Sequence, residues 1–433
     1  MRAELLFVLC MVGLFAFGTI LPKAQPPVTL TSPAGSGTQP APALKAQPAS
    51  VTLRNAPGEV APKQRTRTAS WLLQMYEDHI GPGAGKHGAL TPSQRRDWDL
   101  TRREMTEAWW DSRGIQILAP MTMDHFQKGT GEGSSALSVR GVRATGPIRV
   151  NDVLSVTPFN ALISRLTVQS SPIGHVFGGH ASTPVPKPPP QNASAKMHQN
   201  AASPQAVKMD DSLAIAVWLM WEVAQLRKWL KSDGLDSPAV SVPVTGPTNW
   251  SGHVLDLMVT PLNQPQLKTH NIIQALPKVL RAMALEKVSA NRKKYRRIMP
   301  LLTERFPDVF AHRGFAHTAA DFSFDQFQWA LAVWNSRNFQ LDQFGESEFN
   351  FMSPGADMQN MCHNLYPTRV VMKWDGSFVM TAVENITKGD EVCFFYGQHC
   401  REDSMMMYGF SAEWQAPCPE KKVREKDLIV ENL

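Results

Sequence analysis

The sequence predicts an α+β fold in which short β-sheets and hairpins are built from two separated stretches of chain, with a helical insert between them. Three observations carry this expectation. Apolar residues recur at helical spacing through much of 210–340. Strand-like runs flank Asp375-Gly376, a turn pair suited to a hairpin. Shorter strand-like runs stand far upstream, at 136–140 and 153–157. The chain has 433 residues, 43% hydrophobic and 19% charged. That supports a sizeable core and excludes both a wholly disordered chain and a multi-span membrane protein.

Residues 1–25 read as a signal peptide or signal anchor. Leu5 to Leu21 is a 17-residue apolar run behind Arg2, closed by Pro22 and Lys23, at the border between a signal-peptide core and a short membrane span. Residues 26–68 form a Pro/Ala-rich segment, disordered or transit-like, and 22–68 hold six basic residues against one acidic one. Two destinations fit: a plastid, by a bipartite leader through the secretory pathway, or membrane attachment through a signal anchor and stalk. Residues 1–68 carry seven Lys/Arg against Glu4 and Glu59, which is +5 of the formal +6 and leaves 69–433 near +1. So little basic charge does not suit a phosphate backbone, and no nucleic-acid partner is expected.

The N-terminal helical region, 69–135, holds helices at 70–80 and 92–112, the second with Pro92 in a tolerated first-turn position and Gly114 as its stop. In 136–174, strands at 136–140 and 153–157 are separated by turns at Gly141 and Gly146. A proline-crowded low-complexity insertion, 175–209, follows. The helical insert, 210–340, opens with a helix at 212–231 that places Leu213, Val217, Met220, Val223 and Leu230 at helical spacing, with Asp211 or Ser212 as cap and Gly234 behind. Glu222 and Arg227 exclude it as a membrane span. The next helix, 277–298, ends in the basic cluster Arg292, Lys293, Lys294, Arg296 and Arg297, a solvated face. The last, 323–337, opens on the capping box Ser323/Gln326 and turns Phe327, Ala330, Leu331 and Trp334 to one side. From 341 to 411 the pattern changes to strands: 369–374 and 377–382 around a two-residue turn, a further turn at 386–389, a strand at 391–396, and 404–410 closing the region. Residues 412–433 are a short tail.

Several chemistries drop out. There is no HExxH, no GxSxG and no GxGxxG between a strand and a helix. The loop 81–88 contains Gly85-Lys86, but His87 stands where a phosphate loop needs Ser or Thr, and Ile80 where it needs Gly. The five cysteines, Cys10, Cys362, Cys393, Cys400 and Cys418, include no CxxC pair. Free buried thiols are expected, rather than a disulfide framework or a metal site.

What remains is an ordered series: Ser336-Arg337-Asn338-Phe339, Asp357-Met358-Gln359-Asn360, ITKGDE at 386–391, Tyr396-Gly397, and Tyr408-Gly409-Phe410. It resembles the SET-domain protein methyltransferases of the Rubisco large-subunit methyltransferase type, with their SRxF, aDxxNH, I.xGeqv..sYG and..YGF landmarks. Gly141-Val142-Arg143-Ala144-Thr145, Ile148 and Asp152-Val153-Leu154 are similar to that family's opening, and Trp329-Ala330 to its helical insert. The resemblance covers roughly 136–411 and implies a SET-type fold, with 136–174 and 341–411 as its two halves. It implies S-adenosylmethionine as cofactor, held by Arg143, Arg337, Asp357, Asn360, Tyr408 and Phe410. It further implies a protein lysine as substrate, met by Phe339 and Tyr366, and Tyr396 as the catalytic tyrosine. These residue types suit the roles: arginine forks a carboxylate, Asn360 satisfies an ammonium or adenine edge, and Phe410 offers a ring face.

Methyl transfer from a sulfonium to lysine is an in-line displacement by a neutral amine. Near pH 7.5 about one ordinary lysine in a thousand is neutral, a deficit of roughly 4 kcal/mol that desolvation and the sulfonium charge reduce. Tyr396 would orient amine and methyl group by proximity. Two departures motivate an alternative, a catalytically inactive SET-like scaffold that binds a protein partner. Asn360-Met361 stands where the family has Asn-His, with His363 two residues on. The chain also ends 23 residues after Phe410, where the family continues into a helical substrate-binding lobe.

Overall fold

The computed structural model describes residues 69–79, 90–128, 137–178, 206–232, 248–260, 262–310, 321–341, 349–362, 368–412 and 414–419, all within one compact unit running from Gln64 to Leu433. The leader, the loop 81–88, most of the low-complexity insertion, Gly234, His363 and Tyr366 lie outside the described residues. The architecture is α+β. Its helices are α1 (Ala69–His79), α2 (Pro92–Ser112), α3 (Arg165–Gln169), α4 (Asp211–Ser232), α5 (Ser251–Met258), α6 (His270–Gln274), α7 (Lys278–Arg305), α8 (Pro307–Phe310), α9 (Phe324–Arg337) and α10 (Arg401–Tyr408). Its strands are β1 (Gln116–Ile117), β2 (Met121–Lys128), β3 (Leu137–Ala144), β4 (Val153–Thr157), β5 (Ile163–Ser164), β6 (Asn338–Leu341), β7 (Phe349–Met352), β8 (Thr368–Met372), β9 (Phe378–Ala382) and β10 (Glu391–Val392).

Three antiparallel sheets run in the orders β1-β4-β9-β8, β10-β3-β2 and β5-β7-β6. Each joins a strand from before the helical insert to strands from its end or beyond. The insert packs α4 against α5 and α9 in one apolar core. Helix α4 is apolar on every side from Ala214 to Met220, all fully buried. Such a helix is stable only at the centre of a protein. Asp210 caps it, accepting the Leu213 N–H at 2.8 Å, one residue earlier than the sequence suggests. Helix α7 continues past the expected end at 298, through Pro300 to Arg305, because Ile298, Met299 and Leu302 extend its buried stripe. That burial offsets the roughly 3 kcal/mol an interior proline costs.

One buried acid in α4 has a measurable consequence. Glu222 is 2% exposed and accepts a hydrogen bond from the Thr248 hydroxyl. Burial pushes its carboxyl up from 4.5 to about 8. The folded chain therefore holds this proton more tightly than the unfolded chain does. The contribution is fully favourable below about pH 4.5 and is lost as pH rises toward about 8. Glu222→Gln, neutral at every pH, is expected to raise stability at pH 8 by about 2–4 kcal/mol and to change little at pH 4. Urea unfolding at the two pH values tests this, and equal effects at both would contradict it.

In the sheets, four expectations need correction. The chain does not turn at Gly141, because β3 runs straight through it, paired along its full length with the unanticipated β2. The glycine is there for close approach: a Cβ would lie 2.3 Å from Asn360 Nδ2 and 2.9 Å from Glu391 Oε1. Asp375-Gly376 is not a two-residue turn with two positive angles. Only Gly376 has one (φ 79°), and the Gly376 N–H bonds the Lys373 carbonyl at 2.9 Å within a longer loop. Strand β10 stops at Val392, and Phe394 makes an isolated parallel bridge to Met361. Residues 404–408 belong to helix α10, which Gly409 closes in the left-handed region.

The four cysteines among the described residues are not free thiols. Cys362 pairs with Cys393 and Cys400 with Cys418, with Cα–Cα distances of 5.4 and 4.9 Å. Sequence spacing could not show this, because the pairing depends on which segments the fold brings side by side. Crosslinks closing loops of this size contribute about 3–4 kcal/mol each. Cys400, Glu402 and Cys418 are the one group among the described residues with metal-ligand spacing, and there the two sulfurs are bonded to each other.

Candidate active site

One cavity gathers the motif residues. Arg337 enters from the end of α9, Asp357 and Asn360 from the turn after β7, Tyr396 from beyond β10, and Tyr408 and Phe410 from α10 and the residues after it. All six line the same cavity. The Arg337 guanidinium donates to the Asp357 carbonyl at 3.0 Å and to its Oδ2 at 3.3 Å, and the Asp357 side chain is fully buried. Arg337 Nε and Asp357 Oδ1 are buried with no hydrogen-bond partner. A cavity lined by Arg337 and Asp357 thus has a buried donor and a buried acceptor beside it that lack partners.

Tyr396 lines the same cavity. Its hydroxyl donates to the Gln359 carbonyl, and its ring lies 4.6 Å from that of Tyr408, centroid to centroid. Burial, then the neighbouring Tyr408, pushes its phenol well above the ordinary 10. Burial likewise pushes Tyr408 up to about 12. Both phenols are neutral at physiological pH, able to donate and accept hydrogen bonds without carrying charge. Tyr408 also meets His399 Nε2 at 3.3 Å. Asn360 Nδ2 donates to Glu391 Oε1 at 2.7 Å, over the floor that Gly141 leaves open.

Sequence reasoning missed a further group of lining residues. Trp98 and Arg102 of α2 line the cavity together with Arg140 of β3. Arg140 forks Asp256 of α5 at 2.6 and 3.0 Å and also meets Met358 Sδ. Arg102 donates to Asp256 Oδ1 at 2.8 Å and to the Asp256 carbonyl at 3.0 Å, and its guanidinium sits 5.2 Å from the Trp98 ring centre. Burial favours a neutral Asp256, but Arg102 and Arg140 outweigh it and hold the carboxyl far below its usual range. Burial and the neighbouring Arg140 bring Arg102 down to about 9.

Arg143 does not reach this cavity. It pairs with Asp124, donates to the Gly389 carbonyl and lies over the Phe126 ring. Arg140 and Arg143 are an odd number of positions apart on β3, so they leave it on opposite faces, and Arg140 is the one that faces the cavity. Reading β3 through Gly141 would have revealed that alternation. Phe339 lies behind the wall, packed on Phe351, Phe378 and Phe394, and Phe394 continues to Tyr396 at 6.3 Å. Tyr366 is outside the described residues.

No protein-family model matches the chain, and no curated protein does. Among solved structures, the chain is similar to the SET domain of LSMT bound to lysine and AdoHcy, at 16% identity and a TM-score of 0.48 over 72% of this chain. It is also similar to Rubisco LSMT bound to sinefungin and monomethyllysine, at 16% identity and 0.47 over 75% of this chain, and to Rubisco LSMT bound to AdoMet, at 15% identity and 0.48 over 72%. The chain spans 57% of the length of each of those chains.

Proposed function

We propose that the protein is an S-adenosylmethionine-dependent protein-lysine N-methyltransferase of the SET type. One observation carries the reading: Arg337, Asp357, Asn360, Tyr396, Tyr408 and Phe410, drawn from segments up to 73 positions apart, line a single cavity. They are six of the seven residues that the resemblance assigns to cofactor and catalysis, Arg143 being the exception. The residue types present fit the cofactor. Arg337 and Asp357, which line the cavity and hold a buried donor and acceptor without partners, suit its amino-acid end, and Phe410 and Trp98 bring aromatic rings to the same lining for its base. When bound, S-adenosylmethionine supplies an electrophilic methyl group on a sulfonium. This chain's own part is to orient and to desolvate. Tyr396 holds a neutral hydroxyl fixed by Gln359, placed to accept from an incoming amine. Its buried surroundings disfavour the charged form of a lysine and so supply the neutral nucleophile.

Calorimetric titration of the purified chain with S-adenosylmethionine tests the binding half. Saturable heat is expected, and its absence would favour the inactive scaffold. Incubation with labelled cofactor and a cell lysate, read by mass spectrometry, tests transfer to lysine. Arg337→Lys keeps a charge beside Asp357 but removes the two-point fork. It is expected to weaken cofactor affinity about tenfold or more with little change in melting temperature. Unchanged affinity with a lower melting temperature would make Arg337 only a partner for Asp357.

The two disulfides support delivery by the leader into an oxidising compartment, where such bonds form and persist. Among the described residues no helix is long and apolar enough to cross a membrane. Residues 1–68 fused to a fluorescent reporter should send it into the secretory route, to membranes or onward to a plastid. A diffuse cytosolic signal would overturn this.

A further inference from the structure

The two segments that carry Asn360 and Tyr396 cross with very little regular structure to hold them. Strand β10 is two residues long. Beyond it the segments touch through one parallel bridge, in which the Phe394 N–H donates to the Asn360 carbonyl at 2.8 Å and the Cys362 N–H to the Phe394 carbonyl at 3.1 Å. Asn360 meets Glu391 at 2.7 Å, and the Tyr396 hydroxyl meets the Gln359 carbonyl. Every one of these bonds fails if the crossing slips by one residue.

The covalent tie sits inside the same crossing. Cys362 lies two residues past Asn360, and Cys393 three residues before Tyr396. The Thr368 hydroxyl holds the Cys393 carbonyl at 2.9 Å from the other side. Cys362 is buried, whereas Cys393 is partly exposed. The second disulfide lies outside the crossing, joining the N-cap of α10 to the residues after Trp414.

We propose that the Cys362–Cys393 disulfide is a positioning element of the site, fixing 359–362 across 391–396 so that Tyr396 stays in register with Asn360. Reduction by a dithiol takes two electrons and two protons into the pair, gives two thiols and closes the dithiol to its cyclic disulfide. The register is then held by hydrogen bonds alone. The consequence for turnover rests on the methyltransferase reading; the consequence for the crossing does not.

The test uses the full chain: wild type with and without dithiothreitol, the double variant Cys362→Ser/Cys393→Ser, and Cys400→Ser/Cys418→Ser for comparison. Amide hydrogen exchange reads the crossing. Calorimetry reads cofactor affinity, and turnover is measured well below the melting temperature. Loss of the first bridge is expected to speed exchange at 359–362 and 391–396 by about tenfold or more while β2 and β3 stay protected. Turnover is expected to fall by about a hundredfold, the effect of a displacement near 1 Å, with cofactor affinity falling much less. Loss of the second bridge should leave the crossing protected. A first-bridge variant that melts lower yet keeps wild-type exchange at the crossing and wild-type turnover would overturn the proposal and leave the bridge a plain crosslink. If the variant does not fold, dithiothreitol on the folded Cys400→Ser/Cys418→Ser protein, which keeps only the first bridge, makes the same comparison. If wild type binds no S-adenosylmethionine, the methyltransferase reading fails and the exchange measurement alone decides the tether.

Discussion

Tyr396→Phe is expected to lower methyl transfer to a lysine-bearing protein by about a hundredfold, the size typical of losing one positioned polar group from a transition state. The ring keeps its packing against Tyr408 and Phe394. Only the hydroxyl is lost, and with it the bond to the Gln359 carbonyl, which costs about 1 kcal/mol of stability. Tyr408→Phe is the control. That hydroxyl meets His399, so the change should act through cofactor affinity more than through turnover. The pH dependence separates the groups further. Burial holds the Tyr396 phenol well above 10, so turnover should rise with pH as the substrate amine is deprotonated, with no limb from tyrosine below that range. Full turnover by Tyr396→Phe, on a substrate found by the labelling experiment, would remove the residue from catalysis.

The largest stability effect is expected at Asp256. Its side chain is 1% exposed between Arg102 at 4% and Arg140 at 9%. Asp256→Ala leaves two buried guanidinium groups without their shared carboxylate, a loss of about 3–5 kcal/mol. The folded carboxyl lies far below its ordinary 3.8. Its contribution is therefore complete above that value and is lost only as pH falls below it, toward the folded value. Urea unfolding of wild type and Asp256→Ala at pH 7 and pH 3 reads both the size and the direction. The gap should be large at neutral pH and smaller in acid. A gap under about 1 kcal/mol at pH 7 would mean the arginines find other partners. Because Arg102 and Arg140 line the cavity, the same variant should also weaken cofactor binding.

The sequence made legible what local pattern encodes. The Ser323 cap and apolar face of α9, the strands on either side of Gly376 and the β4 strand lie where their residue types put them. Motif residues in chain order revealed part of the cavity lining. The contribution of Arg102 and Arg140 was not legible, because they meet Asp256 across separations of 154 and 116 residues with no local signature. Gly141 misled for a related reason. A glycine in a strand reads as a turn until the side chain that fills its space, Asn360, is known. The cysteine pairs were hidden likewise, since they join segments whose adjacency only the fold creates.

The pairing of β3, β4 and β5 with β10, β9 and β7 fixes an order of events during synthesis. At about 5–20 residues per second, the roughly 200 residues between those partners take about ten to forty seconds to emerge. Throughout that time the early strands wait with unpaired edges while the helical insert collapses beside them. They are then the part of the nascent chain most open to wrong partners, and the part a chaperone has most reason to hold. Each disulfide is completed by a cysteine that follows β10, so neither can form before the last strand has emerged and the sheets can close.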